Sequence, residues 1–84
     1  MKYAVFIRSS AKQALARIPP PFQSRIIEAI RALAHHARPP GVKKLSGRDA
    51  WRIRVSDYRV IYEIEDRNLT ILIVVIGRRG SVYR

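Results

Sequence analysis

Arg52, Arg54 and Arg59 stand close together in the stretch Trp51-Arg52-Ile53-Arg54-Val55-Ser56-Asp57-Tyr58-Arg59-Val60-Ile61-Tyr62. The chemistry of such a group is anion binding. A guanidinium is always charged and presents a planar fork of donors that matches phosphate oxygens. If Ser56-Asp57 forms a two-residue hairpin turn, Val55 faces Tyr58, Ile53 faces Val60 and Trp51 faces Tyr62. Side chains alternate along a strand, so these apolar and aromatic pairs take one side of the sheet. Arg52, Arg54, Arg59 and Ile61 take the other, with Arg54 directly across from Arg59. Like charges directly opposite destabilise a sheet. An anion held between the two guanidinium groups reverses the sign of that interaction. A purely structural reading pairs each arginine with a carboxylate, and Asp57 and Glu63 are the near candidates.

The next strand carries the same question to Arg78-Arg79. If Asp66-Arg67-Asn68 is a three-residue turn, Arg59 faces Val75 and Arg79 continues on the arginine side. With a two-residue turn, Arg78 does so instead; the first register is preferred. Gly47 and Gly77 are expected to serve backbone turns.

These residues need a scaffold. Residues 2–8 read as a strand, with Tyr3, Val5 and Ile7 alternating against Lys2, Ala4 and Phe6. Ser9 or Ser10 can cap a short helix to about Arg17, with Ala11, Ala14 and Leu15 on one face. Pro19-Pro20-Pro21 ends it, and one of these prolines starts a second helix, about Pro21 to Ala37. Phe22, Ile26, Ala29, Ile30 and Leu33 form that helix's apolar stripe. A loop at 42–48 precedes three strands, about 50–56, 57–65 and 69–77, joined by short turns as an antiparallel meander. The last is apolar on both faces, which suits a central position. The expected fold is α+β in the order β-α-α-β-β-β: an antiparallel sheet with two N-terminal helices on one face and the other face partly open.

The bulk numbers frame this reading. The chain has 84 residues, enough for one domain, and a core that small is marginal without a partner. The formal net charge is +11, with a sequence pI near 11.3, while hydrophobic residues make up 48%, too many for a disordered basic tail. The excess charge therefore sits on a folded surface and favours polyanionic partners. Without cysteine there is neither a disulfide framework nor a Cys-based metal site. The longest apolar run, Ile71 to Ile76, is too short to span a membrane. A cytoplasmic protein without membrane association is expected. His35-His36 point in different directions on a helix and have no carboxylate at metal spacing, so no metal is expected. Trp51, Tyr58 and Tyr62 read as core.

Lys43-Lys44-Leu45-Ser46-Gly47, the Trp51–Tyr62 stretch and Ile76-Gly77-Arg78-Arg79-Gly80-Ser81-Val82-Tyr83 together resemble the RelE/ParE toxin superfamily, over nearly the whole chain. The resemblance implies one RelE-like domain over residues 1–84. RelE-type members are toxins of type II toxin–antitoxin pairs that cut mRNA in the ribosomal A site. Arg59, Arg79 and Tyr83 match the nuclease pattern, and Arg52 and Arg54 stand where well-known members have lysines. The implied reaction is attack of a ribose 2′-OH on the adjacent phosphate. Arg59 and Arg79 would hold the scissile phosphate, and Arg52 and Arg54 that phosphate or its neighbours. Tyr83 would stack on a base or orient the 2′-OH. Lys43, Lys44, Arg48 and Arg78 are candidate RNA contacts, the first three equally an ordinary solvated loop. No cofactor is implied.

The chain departs from the family in its proton acceptor. Some relatives place a histidine where this chain has Arg78, and others use a lysine on the second strand. An arginine cannot accept a proton, which leaves Tyr83 or a group of the ribosome or RNA as the base. The implied partners are a cognate antitoxin, forming a toxin–antitoxin hetero-oligomer, and the ribosome with its mRNA. The competing expectations are a ParE-type inhibitor of DNA gyrase without nuclease activity and a catalytically silent RNA-binding module.

Overall fold

The computed structural model describes residues 2–47 and 49–78. The elements are β1 (Ala4–Ile7), α1 (Ser9–Ala16), α2 (Pro20–Leu33), β2 (Lys43–Lys44), β3 (Trp51–Val55), β4 (Tyr58–Glu65) and β5 (Thr70–Arg78). Both helices lie on one face of a five-stranded sheet of order β1-β5-β4-β3-β2. The α+β class and the succession of elements are those expected, with two additions. Lys43-Lys44, read as loop, form a short strand paired with Arg52 and Trp51. And β1 runs parallel to β5, Val5 opposite Ile71 and Ile7 opposite Ile73, whereas the other pairs are antiparallel. The strand apolar on both faces, β5, is therefore interior, between β1 and β4.

Local chemistry explains where the helices begin and end. Neither Ser9 nor Ser10 caps α1; the N-cap is Arg8, without a side-chain cap bond. The Arg8 N–H donates to the Ile73 carbonyl while its own carbonyl accepts from the Lys12 N–H. The ladder thus runs directly into the helix, leaving no separate capping residue. Helix α2 opens on Pro20, where the absent N–H is not needed. It stops at Leu33, a turn short of the expected Ala37. The carbonyls beyond that point are used elsewhere: Ala34 accepts from the Tyr3 N–H at 2.7 Å, and Ala37 from the Tyr62 hydroxyl at 2.8 Å. These tertiary bonds satisfy groups that a helix end leaves open. The exposed His35 and His36 thus lie just past the helix.

Ile26, Ile30 and Leu33 of α2, with Ala11 of α1, cover Ile53, Val60, Tyr62, Ile71 and Ile73 of the sheet. Tyr58 and Tyr62 are core residues, and Trp51 packs half-buried at the edge of this cluster. Phe22 departs from the expected stripe. It lies in the first turn of α2, 36% exposed, with its ring tilted against Tyr58 at 5.8 Å. The opposite face is only partly open. Ile61 and Val74 are buried there together with Ala50, and Leu45 packs against them from the segment before β3. No helix among the described residues is long and apolar enough to cross a membrane.

Candidate functional site

The hairpin register is the one that the residue spacing predicts: Trp51 opposite Tyr62, Ile53 opposite Val60, Arg54 opposite Arg59 and Val55 opposite Tyr58. Ser56 and Asp57 form the turn, with Ser56 at φ 55°. A positive φ at the first turn position suits the right-handed twist of a two-residue hairpin. Arg52, Arg54 and Arg59 therefore share the face away from the helices. Lys43 joins them, because it pairs with Arg52.

Along β4 and β5 the register differs from expectation. The connection is four residues, Asp66 to Leu69, with Leu69 at φ 51° and its N–H donating to the Asp66 carbonyl. A bulge follows: Tyr62 faces Ile73, but Ile61 faces Val75, which leaves Val74 as the extra residue. The longer turn and the bulge each shift the pairing by one residue. Arg59 consequently faces Gly77 rather than Val75, and Gly77 lies inside a strand rather than in a turn. The two shifts together keep Val75 and Gly77 on the side of Arg59. Across the sheet, Arg59 thus has an arginine on one flank and a residue without a side chain on the other.

Burial differs sharply among the three arginines. Arg52 and Arg59 are each 8% exposed, whereas Arg54 is open to solvent. Arg52 is flanked by β2 and β4 and Arg59 by β3 and β5, whereas β2 pairs no further along β3 than Arg52 and leaves Arg54 with a partner strand on one side. Packing along an arginine's aliphatic stem restrains its guanidinium, and a charge held in a low-dielectric setting acts more strongly on an anion. Arg54 and Arg59 line a cavity of about 190 Å³ at the hairpin end, together with Ser56, Asp57 and Tyr58. The sequence alone presents Asp57 as a turn residue and a near ion-pair candidate, and the cavity adds it to the site. Its place immediately before the Tyr58-Arg59 step is the signal that could have found it. The Arg25 Nη1 of α2 reaches the Ser56 Oγ at 3.4 Å, a long contact that touches the turn from the helix side.

The sheet does not gather every candidate. Lys44 pairs with Trp51 on the helix side, its Nζ 5.8 Å from the indole centroid. Arg78 pairs with Tyr58, its guanidinium 6.0 Å from that ring. Both therefore sit on the face opposite Arg52, Arg54 and Arg59. Arg48, Arg79 and Tyr83 lie outside the described residues.

A separate polar clasp closes the far end of the β4–β5 hairpin. Arg38 binds Asp66 through two contacts, 2.9 and 3.2 Å, and the Tyr3 hydroxyl donates to Asp66 at 2.6 Å. Hydrogen bonds from Arg38 and then Tyr3 hold the Asp66 carboxyl down at about 2. Arg38 also lies 4.8 Å from the Trp51 ring centroid. This arrangement fastens β1 and the segment after α2 to the sheet, which suits a scaffold role. A mostly apolar groove of about 640 Å³ lies between β1 and α2, and none of Arg52, Arg54 and Arg59 lines it.

Comparison with known proteins agrees with this geometry. Residues 5–83 match the family described as ParE toxin of type II toxin-antitoxin system, parDE. The chain is 27% identical over 88 residues to Toxin RelG of Mycobacterium tuberculosis, covering 100% of this chain and 99% of that protein. It is 25% identical over 87 residues to a RelE-like toxin protein of Escherichia coli, covering 99% and 92%. Its fold superposes on a chain of the archaeal RelE–RelB complex from Pyrococcus horikoshii OT3 with a TM-score of 0.86 and 32% identity, over 98% of this chain and 100% of the other. A doubly substituted E. coli RelE toxin in the free state shows the same fold at a TM-score of 0.80 and 19% identity, over 96% of this chain and 87% of the other. The chain belongs to the ParE toxin family of type II toxin–antitoxin systems, within the RelE/ParE superfamily.

Proposed function

We propose that this toxin is a ribosome-dependent mRNA endonuclease acting in the A site. The observation that carries the reading is the direct cross-strand pairing of Arg54 with Arg59, with Arg52 on the same face. Two facing guanidinium groups repel each other and are reconciled by a phosphate between them. Transfer of the phosphate to the neighbouring 2′-OH builds negative charge on its equatorial oxygens. Fixed guanidinium groups stabilise that charge without reorganising. Arg59 contacts the scissile phosphate from its packed position, and Arg54 meets it from the open side. Arg52 and Lys43 hold the flanking backbone. Arg79 supplies a further charge and Tyr83 stacks on a base or orients the 2′-OH. Lys44, Arg48 and Arg78 contribute contacts at the rim of the bound ribosome. The whole chain acts as one toxin domain in the cytoplasm.

An antitoxin silences it. Structural relatives from Pyrococcus horikoshii, Mycobacterium tuberculosis and Methanococcus jannaschii were crystallised as toxin–antitoxin complexes. A basic face of this kind favours an antitoxin segment of opposite charge.

One observation favours a second reading. The matching family is described by the ParE name, and β3 offers Arg52 and Arg54 where a nuclease of this superfamily uses lysine. A gyrase inhibitor without nuclease activity fits both facts. Parallel assays with the purified chain separate the two: mRNA end-mapping on translating ribosomes, and supercoiling by gyrase. The nuclease reading predicts ribosome-dependent cuts and unaffected supercoiling. Arrested supercoiling with intact mRNA would replace it with the ParE reading.

A further inference from the structure

We infer that Asp57 is the general base of the arginine site. This rests on the nuclease reading above. That reading needs a group to take the proton of the attacking 2′-OH, and the strand positions that would supply a lysine hold Arg52 and Arg54 instead. The cavity at the hairpin end is lined by Arg54, Arg59, Ser56, Asp57 and Tyr58. Guanidinium groups carry no acceptor, a serine hydroxyl is a weak base, and a carboxylate is acceptor-only when ionised. Tyr58 is 8% exposed and committed to the core. Asp57 is thus the group on this cavity suited to accept a proton. It is solvent-exposed, which gives a ribose access to it.

The location suits the task. Asp57 is two residues from Arg59 and three from Arg54, on the turn that joins their strands. A cavity of about 190 Å³ has room for a phosphate and part of its ribose. A phosphate held by Arg54 and Arg59 in this cavity would bring its ribose to the same cavity that Asp57 lines. Ser56 at φ 55° fixes that turn in a conformation uncommon for a residue with a side chain.

The step balances without an outside reagent other than water. The Asp57 carboxylate takes the 2′-OH proton, and the 2′ oxygen forms a bond to phosphorus. The bond from phosphorus to the 5′ oxygen breaks, and that oxygen leaves with a proton from water. The products are a 2′,3′-cyclic phosphate and a 5′-hydroxyl.

The test uses the full chain on programmed ribosomes, with single-turnover cleavage measured at saturating toxin. Binding is measured separately, with an mRNA carrying 2′-deoxyribose at the cleaved position. Asp57→Asn is expected to slow cleavage by about 10²- to 10⁴-fold, the usual span for a lost general base. Binding of the deoxy mRNA should be unchanged or tighter, since a negative charge has left a phosphate site. Asp57→Glu should recover part of the rate. Circular dichroism and thermal melting confirm that each variant is folded. Wild-type cleavage by Asp57→Asn overturns the inference while leaving the nuclease reading intact. So does parallel loss of rate and binding, or an unfolded Asp57→Asn with an inactive, folded Asp57→Glu. Absence of cleavage by the wild type overturns both.

Discussion

Arg54 of β3 and Arg59 of β4 face each other directly across the sheet, on the side away from the helices. In a buffer of low salt without polyvalent anions, this pair opposes folding. Arg54→Gln should then melt above the wild type, by an amount set by a cross-strand repulsion of about 0.2–1 kcal/mol. Inorganic phosphate should reverse the order. At a free concentration ten times its Kd, a ligand specific to the folded state adds about 1.4 kcal/mol. That is a rise of about 6–10 °C for a chain of this size. Differential scanning fluorimetry across a phosphate series checks both signs. Equal phosphate response in wild type and variant would contradict an anion site at this pair.

The Asp66 clasp predicts an acid limb in stability. Its carboxyl is held at about 2 by Arg38 and Tyr3, below the ordinary value of 3.8. A depressed carboxyl stabilises the fold fully above its unfolded value, and the contribution is lost as pH falls from about 4 towards about 2. Urea melts of wild type and Asp66→Asn should converge over that window and diverge above it. The clasp is exposed, so added salt should shrink the difference.

Tyr62 predicts the opposite limb. Burial pushes its hydroxyl up to about 12, from an ordinary 10. The folded state therefore keeps a proton that the unfolded chain gives up, and stability falls as pH rises from about 10 towards about 12. Tyr62→Phe should remove this fall. At neutral pH the same change strands the Ala37 carbonyl, at a cost of about 1–3 kcal/mol by denaturant melts.

Ser56 at φ 55° predicts a stabilising substitution. A left-handed residue with a Cβ costs about 1–2 kcal/mol relative to glycine, part of which glycine returns through its freer unfolded chain. Ser56→Gly should raise stability by about 0.5–1 kcal/mol in urea melts. A loss of stability would show that the Arg25–Ser56 contact outweighs the strain.

The β3–β4 hairpin was legible because two local signals agree on it. Strict alternation assigns each side chain a face, and a two-residue turn leaves one register that keeps Trp51, Ile53, Val55, Tyr58, Val60 and Tyr62 together. The β4–β5 register was not legible, because its turn carries one more residue than Asp66-Arg67-Asn68 and a bulge leaves out Val74. Neither has a signature in an apolar run such as Ile71–Ile76. The strand Lys43–Lys44 exists only through its pairing with β3, and β1 finds β5 across more than sixty residues of chain. Such non-local pairings are invisible to periodicity.

The site divides in the same way. Arg52, Arg54 and Arg59 were legible as one face, because they share a hairpin. The side taken by Lys44 depends on the added strand, whereas Arg78 falls on the helix side as in the three-residue-turn register, because the longer turn and the bulge together restore the same alternation. The early end of α2 depends on Tyr3 and Tyr62 claiming carbonyls from elsewhere in the fold.

The most direct test of the central claim is end-mapping of an mRNA on programmed ribosomes with wild-type toxin and Arg59→Ala, with ribosome-free mRNA alongside. The account predicts A-site cuts with the wild type only when ribosomes are present. Arg59→Ala, folded by circular dichroism, should lose them by about 10²-fold or more, as for a lost transition-state donor. Undiminished cutting by Arg59→Ala, or no cutting by a folded wild type, would contradict it.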